Sequence, residues 1–197
     1  MPSAAALGFW IAAYLIGSIS FAEIVARRAG IDIRAAGSGN PGATNVGRVL
    51  GRGAGRLVLG LDLAKALVPT LVAVFSLSET DAAITGLCVV VGHCYPIWHR
   101  FEGGKGVACA AGSLLAIVPV AGALAVLAFL LVRKLTRRAS AGSLAGAAVG
   151  ALASLALAWS GRAGSAAAAV SVAIFALVVW RHRDNLARLR DGTEPTA

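Results

Sequence analysis

Three separated stretches concentrate groups that bind anions. The first is Gly37-Ser38-Gly39-Asn40-Pro41-Gly42-Ala43-Thr44-Asn45-Val46-Gly47-Arg48. Glycine lets the backbone reach positive φ and approach a ligand closely, so successive N–H groups around Gly39 and Gly42 can converge into an anion-binding nest. Ser38, Thr44 and the amides of Asn40 and Asn45 add donors, and Arg48 adds a planar fork suited to phosphate. The second stretch is Gly103-Gly104-Lys105-Gly106, directly before an apolar run. A helix starting there offers free N–H groups and the positive end of its dipole, and Lys105 supplies a point charge. The G-x-x-x-x-G-K-[ST] spacing and the preceding strand of a nucleotide-binding loop are missing. The third stretch runs from Arg181 to Glu194. On a helix His182 and Asn185 are i,i+3 neighbours, turned inward with Leu186 and Leu189, while Arg183 and Arg190 point outward. Ser143, one turn into another apolar run, is placed to donate to a phosphate, and Ser140 before it reads as an N-cap.

Each stretch alone also fits a plainer description: a glycine-rich connector, a flexible turn with an interfacial lysine, a basic tail drawn to anionic lipid. Together they describe a site for phosphate anions. No Cys, Asp or Glu is placed for a covalent acyl or phosphoryl intermediate. No H-x-x-x-x-D pattern and no cluster of metal ligands occurs, so neither cofactor nor metal is expected. Cys88, Cys94 and Cys109 form no C-x-x-C pair and read as buried reduced thiols.

The elements that must position these groups are membrane helices. Hydrophobic residues make up 58% of the 197 residues and charged residues only 14%, against roughly 25% charged in soluble domains. Five runs can cross roughly 30 Å of hydrocarbon: about Ala4–Ala26, Leu57–Leu77, Ala82–Trp98, Ser140–Trp159 and Ser165–Trp180. The first has no basic segment before it and reads as a retained helix rather than a secretory signal. A sixth run, Val107–Val132, contains Pro119 and is either one helix of about 39 Å or a hairpin. The positive-inside rule favours the hairpin. Loops around Arg27–Arg56, His99–Lys105, Arg133–Arg138 and Arg181–Arg190 hold sixteen of the eighteen basic residues, and they share one side only if the run goes out and back. The expectation is an all-α integral membrane protein, one domain over 1–197. Seven helical segments, some short, form the bundle, with the N-terminus outside and the C-terminus cytoplasmic. The net charge of +9 then suits anionic substrates and lipid, and no aromatic-basic pattern points to nucleic acid. Asp62 and Lys65, three apart within a span, read as an ion pair, and Glu23 as a counter-charge to the first basic loop.

GSGNPGATNVGR, GHxxPxxxxxxGGKGVA and RHRxNLxRLxxGTEP, in that order, resemble the three motifs of the PlsY family, the bacterial acyl-phosphate:glycerol-3-phosphate acyltransferases. The likeness covers the whole chain and extends to Gly17-Ser18-Ile19 and Gly30-Ile31-Asp32-Ile33-Arg34. It implies a monomeric multi-pass enzyme of the bacterial inner membrane, with its active site on the cytoplasmic face. Such an enzyme transfers a fatty acyl chain from acyl phosphate to the sn-1 hydroxyl of glycerol 3-phosphate. Lysophosphatidic acid and phosphate are released, the first acylation of phospholipid synthesis. By the same resemblance Ser38, Arg48, Lys105, His182 and Asn185 are catalytic. The resemblance also implies that Gly103, Gly104, Gly106 and Ser143 bind substrate and that Glu194 supports the structure; Gly39, Asn40, Gly42, Thr44 and Asn45 are substrate-binding candidates on the donor chemistry of their loop. Departures are Ser20 after Gly-Ser-Ile, Ala66 after Lys65, and Glu102 before GGKG, which either weakens local anion attraction or pairs with Arg100. The competing class is a membrane transporter for a phosphorylated metabolite, which would bind anions with the same groups near the bilayer midplane.

Overall fold

The computed structural model describes residues 2–196. Among these there are ten α-helices, one short 3₁₀ turn and no strand. In chain order the helices are α1 (Ala4–Gly17), α2 (Phe21–Arg28), α3 (Ala43–Leu50), α4 (Arg52–Ser76), α5 (Glu79–Cys94), α6 (Val107–Ile117), α7 (Pro119–Thr136), α8 (Ala139–Trp159), α9 (Ser165–Arg181) and α10 (Arg183–Arg190). Five segments are long and apolar enough to cross a membrane: Ala4–Arg28, Arg52–Ser76, Glu79–His99, α7 and α8. The pair α9–α10, bent by 62°, qualifies as a sixth, and α6 is a shorter apolar helix. Apolar side chains such as Phe75, Leu127, Leu135 and Trp159 are exposed around the bundle, as a protein dissolved in lipid requires.

The run Val107–Val132 folds back on itself. Val118 separates α6 from α7, and Pro119 takes the first position of α7, where its missing N–H costs nothing. A Cβ on Gly122 would meet the Leu115 backbone nitrogen at 2.6 Å, a proximity that a single continuous helix does not allow. Two boundaries differ from expectation. The first span breaks at Ser18–Ser20, where Ser20 caps α2 by accepting from the Glu23 N–H. Ser140 is not an N-cap, because α8 starts one residue earlier, with Arg138 at the cap position.

Helix contacts are backbone-close. A Cβ on Gly17 would lie 2.2 Å from the Val89 carbonyl oxygen, and one on Gly92 would lie 2.2 Å from the Tyr14 carbonyl oxygen. Glycines therefore let α1 and α5 touch along their backbones, as small residues do between membrane helices. The buried core is correspondingly small-grained, built around Ala13, Ala66, Ala83, Val89, Val90, Cys94 and Cys109. At one end of the bundle Trp10 Nε1 donates to the Asp81 carbonyl at 3.1 Å, and Gly164 packs beside the Glu79 carboxylate. The loops rich in arginine meet at the other end.

Charges inside the bundle are paired. Lys65 Nζ lies 2.8 Å from Asp62 Oδ1 and donates to the Ile19 carbonyl at 2.6 Å, which ties α4 to the break in the first span. Buried Glu23 gathers Arg27 at 3.1 Å, Arg34 at 2.7 Å and His99 at 3.0 Å. Glu102 approaches Arg34 at 3.8 Å rather than Arg100, the partner in one of its two expected roles. Replacing Gly92 by Val forces α1 off α5. The expected cost is about 3 kcal/mol, read as a melting midpoint lowered by roughly 6–12 °C in detergent; an unchanged midpoint contradicts the close packing.

Candidate active site

At the arginine-rich end lies a cavity of about 730 Å³. Ser38, Arg48, Lys105, His182 and Asn185 all line it, with Gly39, Asn40, Gly42, Thr44, Asn45, Gly103, Gly106 and Ser143. Of the residues singled out by sequence, only Gly104 stands behind the wall rather than on it.

The first loop holds its shape through Asn45. This buried residue, in the first turn of α3, accepts from the Ser38 N–H at 2.8 Å and donates to the Ala36 carbonyl at 2.9 Å. Its amide is engaged by the loop's own backbone, a different task from the direct ligand donor expected of it. Gly37 and Gly39 take φ of 60° and 70°, the left-handed region that glycine enters without penalty. Arg48, in the last turn of α3, forms no ion pair among the described residues and faces the cavity.

The second loop is clamped from both sides. The N–H groups of Gly103 and Gly104 donate to the Cys94 and His93 carbonyls, each at 3.1 Å. Arg181 donates to the Gly103 carbonyl at 2.7 Å and the Gly104 carbonyl at 3.1 Å. A Cβ at residue 103 would fall 2.1 Å from the His93 carbonyl oxygen, so only glycine fits against the end of α5. With those two amides engaged, the anion-facing groups are Lys105 and the open first turn of α6, which Gly106 starts at φ 80°. Arg181 was not marked by the sequence beyond its place next to His182.

Lys105 donates to Asn185 Oδ1. Asn185 Nδ2 donates to Glu194 Oε1 at 2.6 Å, and Arg188 Nε donates to Glu194 Oε2 at 2.8 Å. Burial acts first on this chain and lowers the Lys105 pKa to about 8, against the opposing pull of the Glu194 carboxylate. Burial alone would raise the Glu194 pKa, but the adjacent Ser140 hydroxyl and the bonds from Asn185 and Arg188 hold it below its ordinary value. His182 sits at the bend between α9 and α10, with Nδ1 2.8 Å from the Val178 carbonyl oxygen. A carbonyl only accepts, so Nδ1 carries the proton and Nε2 is left as an acceptor. Burial lowers the His182 pKa to about 4, so the ring is neutral at pH 7. Leu186, expected inside, is exposed; Asn185 is the residue of α10 that is buried. The Ser143 hydroxyl donates to its own helix at the Ala139 carbonyl, 2.8 Å away, and so meets the cavity through its lone pairs. Asp62, His93 and Cys109 bring three ligand atoms close together, but Lys65 Nζ, 2.8 Å from Asp62 and 3.0 Å from His93, fills the place a cation would take.

A family model described as glycerol-3-phosphate acyltransferase matches residues 7–192. The chain belongs to the glycerol-3-phosphate acyltransferase family. Similar relatives called glycerol-3-phosphate acyltransferase include one from Pseudomonas fluorescens, 47% identical over 94% of this chain and 98% of its own length. Another, from Myxococcus xanthus, is 44% identical over 92% of this chain and 94% of its own length. Two crystal structures of PlsY, an integral membrane glycerol 3-phosphate acyltransferase, superpose on the fold at 39% identity. The glycerol 3-phosphate form has a TM-score of 0.91 over 98% of this chain and 96% of that one. The lysophosphatidic acid form has a TM-score of 0.89 over 98% and 95%. The acyltransferase family is thus reached both from the sequence motifs and from the fold.

The position of Lys105 on the titration axis gives a sign to pH dependence. The ammonium is present below about pH 8 and lost above it. Affinity for inorganic phosphate should therefore fall above that point, by up to about 1.4 kcal/mol per pH unit, and Lys105→Arg should flatten the profile. Calorimetric titration at pH 7.5 and 9.5 reads this directly; equal wild-type affinity at both contradicts it.

Proposed function

We propose that the chain transfers a fatty acyl group from acyl phosphate to the sn-1 hydroxyl of glycerol 3-phosphate, releasing lysophosphatidic acid and inorganic phosphate. The observation that carries this reading is the convergence of Arg48, Lys105, His182 and Asn185, from three distant stretches, on one cavity at one end of an apolar bundle. Family membership supports it, as do solved relatives crystallised in glycerol 3-phosphate and lysophosphatidic acid forms. The chain is a monomeric multi-pass protein of the bacterial inner membrane, with seven helical segments, the N-terminus outside and the cavity on the cytoplasmic face. The grouping of sixteen of eighteen basic residues in four loops supports that orientation. Acyl phosphate and glycerol 3-phosphate are its substrates and lipid its surroundings, with no nucleic acid.

An acyl phosphate is a mixed anhydride and is already activated, so no acyl-enzyme intermediate is needed. The hydroxyl oxygen attacks the carbonyl carbon, the bond from that carbon to the phosphate oxygen breaks, and the electron pair leaves on phosphate. The protein's task is to hold two anions side by side. Arg48, Lys105 and the N–H groups of the first turn of α6 offset their repulsion and stabilise the charge growing on the leaving group. Ser38 and Asn185 orient the donor. His182, neutral with its Nε2 free to accept, directs the attacking hydroxyl. Its low basicity suits it poorly to keep the proton, which passes to a substrate phosphate instead. The acyl tail lies between helices, open to lipid. A transporter would instead place its anion site near the bilayer midplane; the cavity lies at the loop end of the bundle.

Purified protein in detergent, given palmitoyl phosphate and glycerol 3-phosphate, should release phosphate only when both are present. Counterflow of glycerol 3-phosphate in vesicles without release would favour the transporter. His182→Ala should lower turnover by roughly 10- to 100-fold while glycerol 3-phosphate still binds. The acid limb of its rate profile, set by the substrate phosphate near pH 6, should persist. Full activity in that variant removes His182 from the mechanism.

A further inference from the structure

His93 lies near the C-terminal end of α5, is 8% exposed and lines the cavity, yet the transfer chemistry leaves it unused. Its Nδ1 lies 3.0 Å from Lys65 Nζ. That ammonium has two other neighbours, the Ile19 carbonyl at 2.6 Å and the Asp62 carboxylate at 2.8 Å. An ammonium has three protons and no acceptor site. The proton between Nζ and Nδ1 therefore belongs to the lysine, and Nδ1 accepts it. A neutral imidazole whose Nδ1 accepts carries its own hydrogen on Nε2. The ion pair with Asp62 makes the lysine and the aspartate neutral as a unit at this depth.

His93 Nε2 has no hydrogen-bond partner among the described residues. It points at the second anion-binding loop, since a Cβ on Gly104 would fall 2.2 Å from it. The bare glycine is what keeps this N–H uncovered. His93 lines the cavity, so an acceptor bound there can take this N–H, which the chain itself leaves without a partner among the described residues. Resting on the acyltransferase reading, we infer that His93 is a neutral Nε2–H donor to the phosphate of glycerol 3-phosphate at the Gly103–Gly106 turn, its tautomer set by Lys65 and Asp62. His93 is then a substrate-binding residue, and Lys65 and Asp62 are positioning residues that act through it. A neutral donor suits this spot, because it adds a directed hydrogen bond without a further cation beside Lys105 and Arg181.

The chain has three histidines, so protein labelled with ¹⁵N-histidine gives three rings to assign. In the wild type His93 should show a protonated Nε2 and a bare Nδ1, and saturating glycerol 3-phosphate should shift the Nε2–H resonance. Lys65→Met should abolish the single tautomer. In the assay, His93→Ala should raise the KM for glycerol 3-phosphate by about ten-fold or more with the KM for palmitoyl phosphate unchanged. His93→Gln, whose amide N–H can stand in for Nε2–H, should recover most of that loss. A protonated Nδ1, a resonance indifferent to glycerol 3-phosphate, or equal loss in the Ala and Gln variants overturns the inference. The spectra need only wild-type protein, so misfolding of a variant does not shield it. Failure of the acyltransferase reading looks different: wild-type protein that releases no phosphate at all.

Discussion

A charge placed at the edge of a membrane must be held against its preference for water, and Lys105 is where this structure meets that constraint. Its ammonium is largely withdrawn from solvent, and its hold on a proton weakens accordingly. What keeps it in place is a chain of hydrogen bonds through Asn185 to Glu194 and Arg188. The single carboxylate at the end of that chain is engaged by Asn185 and Arg188, so it does not neutralise Lys105 at close range. The cavity therefore keeps an unmet positive charge, reinforced by Arg48, which has no ion-pair partner among the described residues, and an entering phosphate supplies the missing anion. Low dielectric around the site makes each such contact stronger than it would be in water.

The helices are arranged to keep that charge in position. Gly17 and Gly92 let α1 and α5 touch, which fixes the end of α5 that carries His93 and Cys94. The carbonyls of those two residues grip Gly104 and Gly103, and Arg181 grips the same loop from the end of α9. The loop that presents Lys105 is thus held by two helices distant in sequence. Lys65 connects the break in the first span to the same corner through Ile19, Asp62 and His93. Buried polar groups here determine where helices end and turn, while apolar contact holds the helices together.

Much of this was legible in the sequence because membrane proteins announce their spans through composition and their sidedness through basic residues. The turn at Pro119 followed from counting arginines and lysines, since a proline alone fits either a kink or a stop. The three glycine-rich and basic stretches marked the cavity because groups of that type have little use at a membrane edge except to meet anions. What escaped was the division of labour inside each stretch. Asn45 and Ser143 look like donors for a ligand, yet their protons go to nearby backbone carbonyls. Gly103 and Gly104 read as part of a helix start with free N–H groups, yet those groups close onto α5. A sequence shows how many donors a loop has, and only the fold shows which are already engaged. The contacts of His93 and Arg181 were hidden for the complementary reason: their partners lie 28 and 77 to 78 residues away.

The central claim is that one anion is held jointly by loops from separate parts of the chain. Calorimetric titration of glycerol 3-phosphate into wild-type protein, Arg48→Ala and Lys105→Ala tests it most directly. The account predicts a single site per chain, weakened about ten-fold or more by either substitution, although the two residues lie on different loops. Two independent sites, each sensitive to only one substitution, or binding indifferent to both, would contradict it.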